Sequence, residues 1–252
     1  MKQYLIFFLS LYFISCSSDN DEPVKQISVK INFTHDWDGT SVSKDDFNKF
    51  EFENQKGTKL SIEKLRYLIS TINLIKSNND TIKFEGYALV DLSNVSTLTY
   101  ELPESVVEGI YNLSFTFGFH KNDNISGEYP NLNAASWSVP ELQGGGYHFM
   151  QLDGKYKDIL GVEKPYNFHV IQAYDMETQE TKDTSFTTNL GSVFVKNNAI
   201  IEVKMNIAEW FKNPHQWDLN ERNTSLMGNF NAQEDMSANG KDIFRLGEIF
   251  QE

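Results

Sequence analysis

The sequence predicts an all-β fold: a mostly antiparallel β-sandwich with long loops and one or two short helices near the C-terminus. Several segments alternate apolar with polar residues, which is the period-2 pattern of a half-buried strand. Turn-forming residues separate these segments. Aromatic residues make up 13% of the chain, and this content favours a thick sheet core over a helical bundle. Residues 26–252 are therefore assigned to a single sandwich domain.

The domain is predicted to begin with a strand and a hairpin. The first strand is indicated by four apolar residues that alternate with polar ones: Ile27, Val29, Ile31 and Phe33. Residues 64–77 are apolar in both phases, so a helix is one interpretation of this segment. The Asn-Asn-Asp turn at 78–80, followed by a strand-like run at 81–84, favours the other interpretation, a β-hairpin.

The sequence pattern in the middle of the domain predicts core strands and a long loop. Residues 87–92 form a further predicted strand. The cleanest alternation in the chain follows, with five aligned apolar side chains: Tyr111, Leu113, Phe115, Phe117 and Phe119. Residues 120–146 are rich in Asn, Asp, Gly, Pro and Ser and show no alternation. A compact domain usually keeps a long irregular connection of this kind for function.

The sequence pattern of the C-terminal half predicts more strands and little helix. The strands are expected at residues 147–152, 166–174, 193–195 and 200–206, separated by turns at Asp153-Gly154, 176–183 and 196–198. Residues 210–217 predict a short helical turn, and residues 223–239 predict one helix capped near Thr224 or Ser225.

The first 15 residues predict a lipoprotein signal peptide. A basic start precedes an apolar run at 4–13 that is too short to cross a bilayer. The run ends near Cys16, the sole cysteine, which excludes an intrachain disulfide. With Ser15 before it, this position resembles the lipobox of a bacterial lipoprotein. We therefore expect lipid attachment at Cys16 and a membrane partner through that anchor; an ordinary cleaved signal is the alternative.

Residues 16–25 predict an acidic lipidated tether. They contain almost no packing residues, which is typical of a disordered spacer. Their acidic sequence resembles the signal that sends Bacteroidetes lipoproteins to the outer face of the outer membrane. An outer-membrane lipoprotein exposed at the cell surface is expected, with the periplasmic face as the alternative.

Charge and motifs exclude two function classes. Removal of residues 1–15 leaves 21 basic and 35 acidic side chains, a net charge of −14, which opposes binding to nucleic acid. The chain contains no Gly-x-Ser-x-Gly, His-Glu-x-x-His or phosphate-binding Gly-x-x-x-x-Gly-Lys motif. Its one cysteine is assigned to lipidation, so no thiol nucleophile remains. We do not expect an enzyme.

One constellation indicates a metal site. Trp137 is followed by the glycines at 144–146 and by His148, and His169 lies in the next predicted strand. Neutral imidazole is the commonest metal ligand in proteins. Alternation places His148 and Met150 on one face of their strand, and imidazole with thioether suits copper(I). The alternative is a structural His148 that bonds a loop, with Met150 filling the core.

His35 is a further candidate ligand. It follows the first predicted strand, in a loop that continues as Asp-Trp-Asp-Gly. Its imidazole lies within possible reach of the other two histidines, depending on how the sheets pack.

Together these pieces resemble the MbnP-like domain, from about Ile27 to the end of the chain. The order of the segments carries the resemblance: residues 65–74, 108–111, Phe117-Gly118, Asp123-Asn124, Trp137, Gly146-Tyr147, Asp153-Gly154 and Phe168-His169. The family is named for copper-binding proteins and is common among Bacteroidetes lipoproteins. The resemblance implies copper held by His169 and His148, with an oxidised Trp137 as a possible third participant and a di-haem peroxidase as the partner that oxidises it.

The chain departs from the family pattern beside the tryptophan. The family usually has a Trp-x-Trp pair close to the Gly-Tyr step, whereas Val139 stands at the second position here. A Pro-Glu-Leu-Gln insert then separates Trp137 from the glycines.

Two functions follow from the sequence. The first is a cell-envelope lipoprotein that binds copper for acquisition or sequestration. The second is a β-sandwich lipoprotein without metal, in which Trp37, Trp137 and loop tyrosines stack on a glycan or contact a protein partner. Convergence of His148 and His169 favours the first function, and divergence to opposite faces favours the second.

Overall fold

The computed structural model describes residues 25–251. Cys16, the predicted signal peptide and nearly all of the predicted tether lie outside the described residues. Within the described part, no helix is both long enough and apolar enough to span a bilayer.

The described chain is built mainly from strands. In chain order they are β1 (Gln26–Ile27), β2 (Val29–Trp37), β3 (Thr40–Ser41), β4 (Phe52–Glu53), β5 (Lys59–Lys76), β6 (Thr81–Asp91), β7 (Thr99–Glu101), β8 (Val106–Val107), β9 (Gly109–Phe117), β10 (Met150–Lys157), β11 (Glu163–Val170), β12 (Ala173–Tyr174), β13 (Thr181–Lys182), β14 (Phe186–Val195), β15 (Ala199–Asn206) and β16 (Phe244–Gln251). The α-helices are α1 (Pro130–Ala134) and α2 (Phe230–Gly240). Short 3₁₀ turns lie at Lys44–Asp46, Val95–Thr97, Glu141–Gln143 and Ile207–Phe211.

Two sheets form the sandwich. The larger has the order β11-β10-β5-β9-β14, with β4 and β6 also paired to the long strand β5. The smaller has the order β16-β15-β2-β3, with β7 paired to β2. Within the described residues only the pairing of β15 with β2 is parallel. The predicted class, a mostly antiparallel all-β sandwich, is confirmed.

Aromatic rings fill the space between the two sheets. Phe33 on β2 meets Tyr67 on β5 edge to face, with ring centroids 6.0 Å apart. Phe115 on β9 meets Phe244 on β16 in the same way at 5.0 Å. Each such pair adds about 0.5–1.5 kcal/mol beyond the burial of its area. This core covers one face of β5, β10 and β11. Because side chains alternate along a strand, the residues between the core-facing ones point to the outer face of the larger sheet.

The hairpin interpretation of residues 64–77 is confirmed, because this segment lies in β5 and pairs with β6. The structure explains why apolar residues occupy both phases of this segment. The register of β5 against β6 shifts between Ser70 and Ile72, and Thr71 adopts a positive φ of 48°. A bulge of this kind moves the buried phase by one residue, so the apolar pattern changes face along one strand.

The predicted turn at Asp153-Gly154 is wrong. Both residues lie inside β10, at a register shift against β5. A Cβ on Gly154 would lie 2.0 Å from the carbonyl oxygen of Ser61, so the glycine permits a close approach of neighbouring strands. Close backbone approach, not a reversal of the chain, explains this Asp-Gly pair.

Other element boundaries also differ from the prediction. The strand expected at 147–152 begins only at Met150, so His148 precedes it. Helix α2 begins later than predicted, with Asn229 as its cap, since the Asn229 side chain accepts a hydrogen bond from the N–H of Ala232. The 120–146 segment includes the short helix α1, and the helical turn expected at 210–217 lies at Ile207–Phe211.

Candidate metal site

His169 lies on the outer face of the larger sheet. On β11 it pairs with Gln151 of β10, and the neighbouring pair on the same face is Asn167 with Asp153. Three residues of opposite phase point into the core and are fully buried: Tyr166, Phe168 and Val170. Strand pairing therefore positions His169 beside Asp153, and the Nε2 atom of His169 lies 2.7 Å from Oδ1 of Asp153.

His148 is held by the backbone of Trp137. The N–H of His148 donates to the carbonyl oxygen of Trp137 at 2.9 Å, and the ring atom Nδ1 lies 2.9 Å from the same oxygen. A single bridge between Ser138 and Tyr147 fixes these two loop segments side by side. The loop containing Trp137 thus sets the orientation of the His148 ring.

The glycines at 144–146 give this loop its shape. All three have positive φ values of 95°, 65° and 74°, a region that glycine enters without strain. A Cβ on Gly145 would lie 2.7 Å from Ser126 Oγ, and one on Gly146 would lie 2.6 Å from the Asn124 side chain. The glycine-rich approach is therefore needed for a tight turn of the chain just before His148.

The structure brings Trp137, His148 and His169 together. The rings of His148 and His169 meet edge to face, with centroids 5.2 Å apart and planes at 81°. The Trp137 and His148 rings are 5.6 Å apart. Two nitrogens that each lie about 2 Å from one ion are at most about 4 Å apart, and the spacing of the two histidine rings is compatible with that limit.

Hydrogen bonding assigns one lone-pair nitrogen to each histidine. The Trp137 carbonyl can only accept, so the neutral His148 ring carries its proton on Nδ1 and keeps a lone pair on Nε2. The Asp153 carboxylate accepts from Nε2 of His169, so the neutral form of that ring has its lone pair on Nδ1. Metal-binding histidines usually have this arrangement, in which the second ring nitrogen donates to a carbonyl or a carboxylate.

The protonation states of His148 and Asp153 suit the binding of a metal ion. Burial lowers the pKa of His148 to about 4, and the positive charge of Arg66 acts in the same direction, against the hydrogen bond to Trp137. His148 is therefore neutral at pH 7. Burial raises the pKa of Asp153, but hydrogen bonds from His169, Asn167 and Lys64 outweigh it and hold this pKa well below its usual value. Asp153 is ionised.

Arg66 adds a positive charge to the site. Its guanidinium lies 5.0 Å from the centre of the Trp137 ring and donates to Oε1 of Gln151 at 2.5 Å. Lys64, two residues earlier on β5, pairs with Oδ2 of Asp153 at 2.8 Å. Lys64 is thus paired with Asp153, and Arg66 places a positive charge beside Trp137 and His148.

Polar atoms without partners cluster around the histidines. Five buried side-chain nitrogen or oxygen atoms of the described residues lack a hydrogen-bond partner. Three of them belong to this neighbourhood: Arg66 Nε, Trp137 Nε1 and Gln143 Oε1. Buried polar groups are nearly always satisfied, so these three atoms distinguish this neighbourhood from most of the described core.

Two predicted ligands lie elsewhere. Met150 pairs with Val170 and Tyr67 on the core face of β10, so the expectation that it shares a face with His148 is wrong. His148 precedes the strand, and its ring turns to the outer face to meet His169. His35 is buried between the sheets, where its Nε2 lies 3.0 Å from the Tyr67 hydroxyl and burial lowers its pKa to about 4.

The tryptophans proposed as a stacking platform are buried. Trp37 is 8% exposed and Trp137 is not exposed at all, so neither offers a ring face to a glycan. Across residues 25–251, no three His, Cys, Asp or Glu side chains are grouped as a metal site. The histidine pair is therefore the arrangement to consider for a metal.

Sequence reasoning missed Asp153 and Arg66. The signal for Asp153 was present, because period 2 links positions 151 and 153 to 167 and 169 once the segment is taken as one continuous strand. The Asp-Gly turn signal concealed it. Strand alternation could not identify Arg66 as a site residue, because its position beside Trp137 depends on how the 120–146 loop packs on β5.

These observations define a class: an all-β sandwich with a pair of oriented imidazoles beside a buried tryptophan. The sequence model of the MbnP family matches residues 26–228. The chain belongs to the MbnP family, as its resemblance implied. A similar solved structure is MbnP from Methylosinus trichosporium, at 12% sequence identity and a TM-score of 0.49, covering 89% of this chain and 99% of that one. Comparison with curated proteins finds no match.

Proposed function

We propose that this protein binds copper, as Cu(I), through Nε2 of His148 and Nδ1 of His169, and serves copper acquisition or sequestration at the cell envelope. The observation that carries the proposal is the hydrogen bonding of the two rings. Each imidazole donates its N–H to a fixed acceptor, Trp137 O or Asp153 Oδ1, and keeps its other nitrogen as a lone-pair donor.

The donor set favours copper over zinc. Zinc sites take three or four protein ligands, whereas the residues from 25 to 251 offer no such group of His, Cys, Asp and Glu. Imidazole suits copper, and a neutral His148 needs no deprotonation before it binds. Trp137 packs beside the pair and keeps water from one side of it.

The local charge favours a monovalent ion. Coulomb repulsion scales with the product of the charges, so the positive charge of Arg66 beside His148 opposes a divalent ion about twice as strongly as a monovalent one. Cu(I) therefore fits the site better than Cu(II) or Zn²⁺.

The N-terminal sequence supports a location at the cell envelope. A lipid anchor at Cys16 and an acidic tether would hold the domain at the outer membrane, facing the cell surface. Family membership supports a function related to that of other MbnP proteins. The di-haem peroxidase partner and an oxidised Trp137 stay predictions that the family resemblance implies.

Metal analysis of protein purified from its own cell envelope tests the proposal. The wild-type chain is compared with a His148→Ala, His169→Ala double variant. A matched control replaces His120 and His215, which are both half-exposed and lie outside the site. We expect about one copper per wild-type and control chain and none in the site variant. Equal copper in all three proteins, or none in the wild type, would overturn the proposal.

A further inference from the structure

A cavity of about 310 Å³ opens beside His169. Its lining comes from the loop before His148, from the outer face of β11 and from the segment before α2: Gln143, Asn167, His169, Ser225, Leu226 and Met227. Met227 is the one sulfur-containing side chain among them and is partly exposed. The cavity therefore combines an imidazole with a thioether, two donors that suit Cu(I).

The segment carrying Met227 is fixed relative to His169. The buried Gln233 amide of α2 donates to the His169 carbonyl at 2.9 Å and to the Leu226 carbonyl at 3.0 Å. Its oxygen accepts from the Ile171 N–H at 2.8 Å. One glutamine thus joins the backbone of β11 at His169 to the backbone of the residue next to Met227, so the two segments that carry the imidazole and the thioether are held together.

We propose that this cavity is the entrance to the histidine pair on the side of His169, the histidine that lines it, and that Met227 supplies a third, thioether donor that makes the site selective for Cu(I). The inference rests on the proposed copper binding and goes beyond it, since it names the route and a ligand outside the Trp137, His148 and His169 set. Met150, the methionine suggested by sequence alternation, faces the core and cannot fill this role.

The test replaces Met227 by Leu, which removes the sulfur and roughly keeps the side-chain volume, at a cost below about 1.5 kcal/mol. Met176→Leu is the matched control. The Met176 methyl lies 3.7 Å from the position a Cβ would take on Gly228, so it is close to Met227, but it does not line the cavity. Each purified full-length protein is titrated anaerobically with Cu(I) against a chromophoric chelator and then studied by copper X-ray absorption.

We expect a sulfur scatterer in the wild type and in Met176→Leu, and its loss in Met227→Leu together with at least about tenfold weaker Cu(I) binding. Zn²⁺ affinity should be the same in all three proteins. Copper bound by nitrogen alone in the wild type, or unchanged Cu(I) affinity in Met227→Leu, overturns this inference and leaves the histidine pair standing. A wild type that binds no Cu(I) overturns the proposed function and this inference with it.

Discussion

Replacement of Asp153 by Asn should weaken copper binding without unfolding the protein. Oδ1 of Asp153 accepts from His169 Nε2 at 2.7 Å and from Asn167 at 2.8 Å, while Oδ2 pairs with Lys64. An Asn side chain keeps an oxygen for the first two contacts but loses the negative charge. The His169 ring stays in place and becomes a weaker donor, because its N–H now bonds a neutral amide.

The size of the effect follows from these contacts. Removal of a partner that orients a metal-binding histidine costs 10–100-fold in affinity. Asp153→Asn keeps the geometry and should cost about tenfold, or ~1.4 kcal/mol, whereas Asp153→Ala should approach 100-fold. The Lys64 side chain is 44% exposed, so loss of its ion pair lowers the free energy of unfolding by only about 1 kcal/mol. A domain with a typical stability of about 5–15 kcal/mol tolerates this.

An anaerobic Cu(I) titration against a chromophoric chelator at pH 7 measures the affinity, and urea denaturation of the metal-free protein measures the stability. Asp235→Asn is the matched control, because Asp235 also lies between a histidine and a cation, His215 and Arg222, away from the site. If Asp153→Asn binds Cu(I) as tightly as the wild type and the control, the role given to the Asp153 hydrogen bond is refuted.

Three further predictions concern stability and location. Burial lowers the pKa of His35 and His148 from 6.5 to about 4, so between these pH values the unfolded chain binds more protons than the folded chain. The unfolding free energy of the metal-free protein should therefore be highest above pH 6.5 and fall by about 3 kcal/mol per histidine as the pH drops to 4. Urea denaturation at both pH values measures this, and equal stabilities contradict it. Gly154→Ala should lower the unfolding free energy by at least about 2 kcal/mol, because its Cβ would meet a backbone oxygen at 2.0 Å; an unchanged thermal midpoint contradicts that contact. Cys16→Ala should move the protein from the membrane to the soluble fraction on cell fractionation, and continued membrane association counts against lipidation.

The strands were predictable because their signal is local. Alternation at Tyr111, Leu113, Phe115 and Phe117 needs no partner strand to be seen, and these residues lie in β9. The bulge at Thr71 depends on the pairing of β5 with β6, so the apolar pattern of residues 64–77 alone left both a helix and a hairpin open. The continuous strand through Gly154 depends on the pairing of β10 with β5, and the local Asp-Gly signal predicted a turn there instead.

The site was predictable in its residue types but not in its contacts. Trp137, His148 and His169 stand out by composition and spacing. The hydrogen bond from His169 to Asp153 and the position of Met227 arise from strand register and from the Gln233 contact, which join residues far apart in sequence. No local pattern contains that information.

The most direct measurement is a crystal structure of the protein loaded anaerobically with Cu(I), with anomalous scattering recorded at the copper edge. We expect one strong peak about 2 Å from both His148 Nε2 and His169 Nδ1. We also expect His148 Nδ1 to keep its bond to the Trp137 carbonyl and His169 Nε2 to keep its bond to Asp153. A peak at His35, His120 or His215 instead, or no peak between the paired rings, would contradict it.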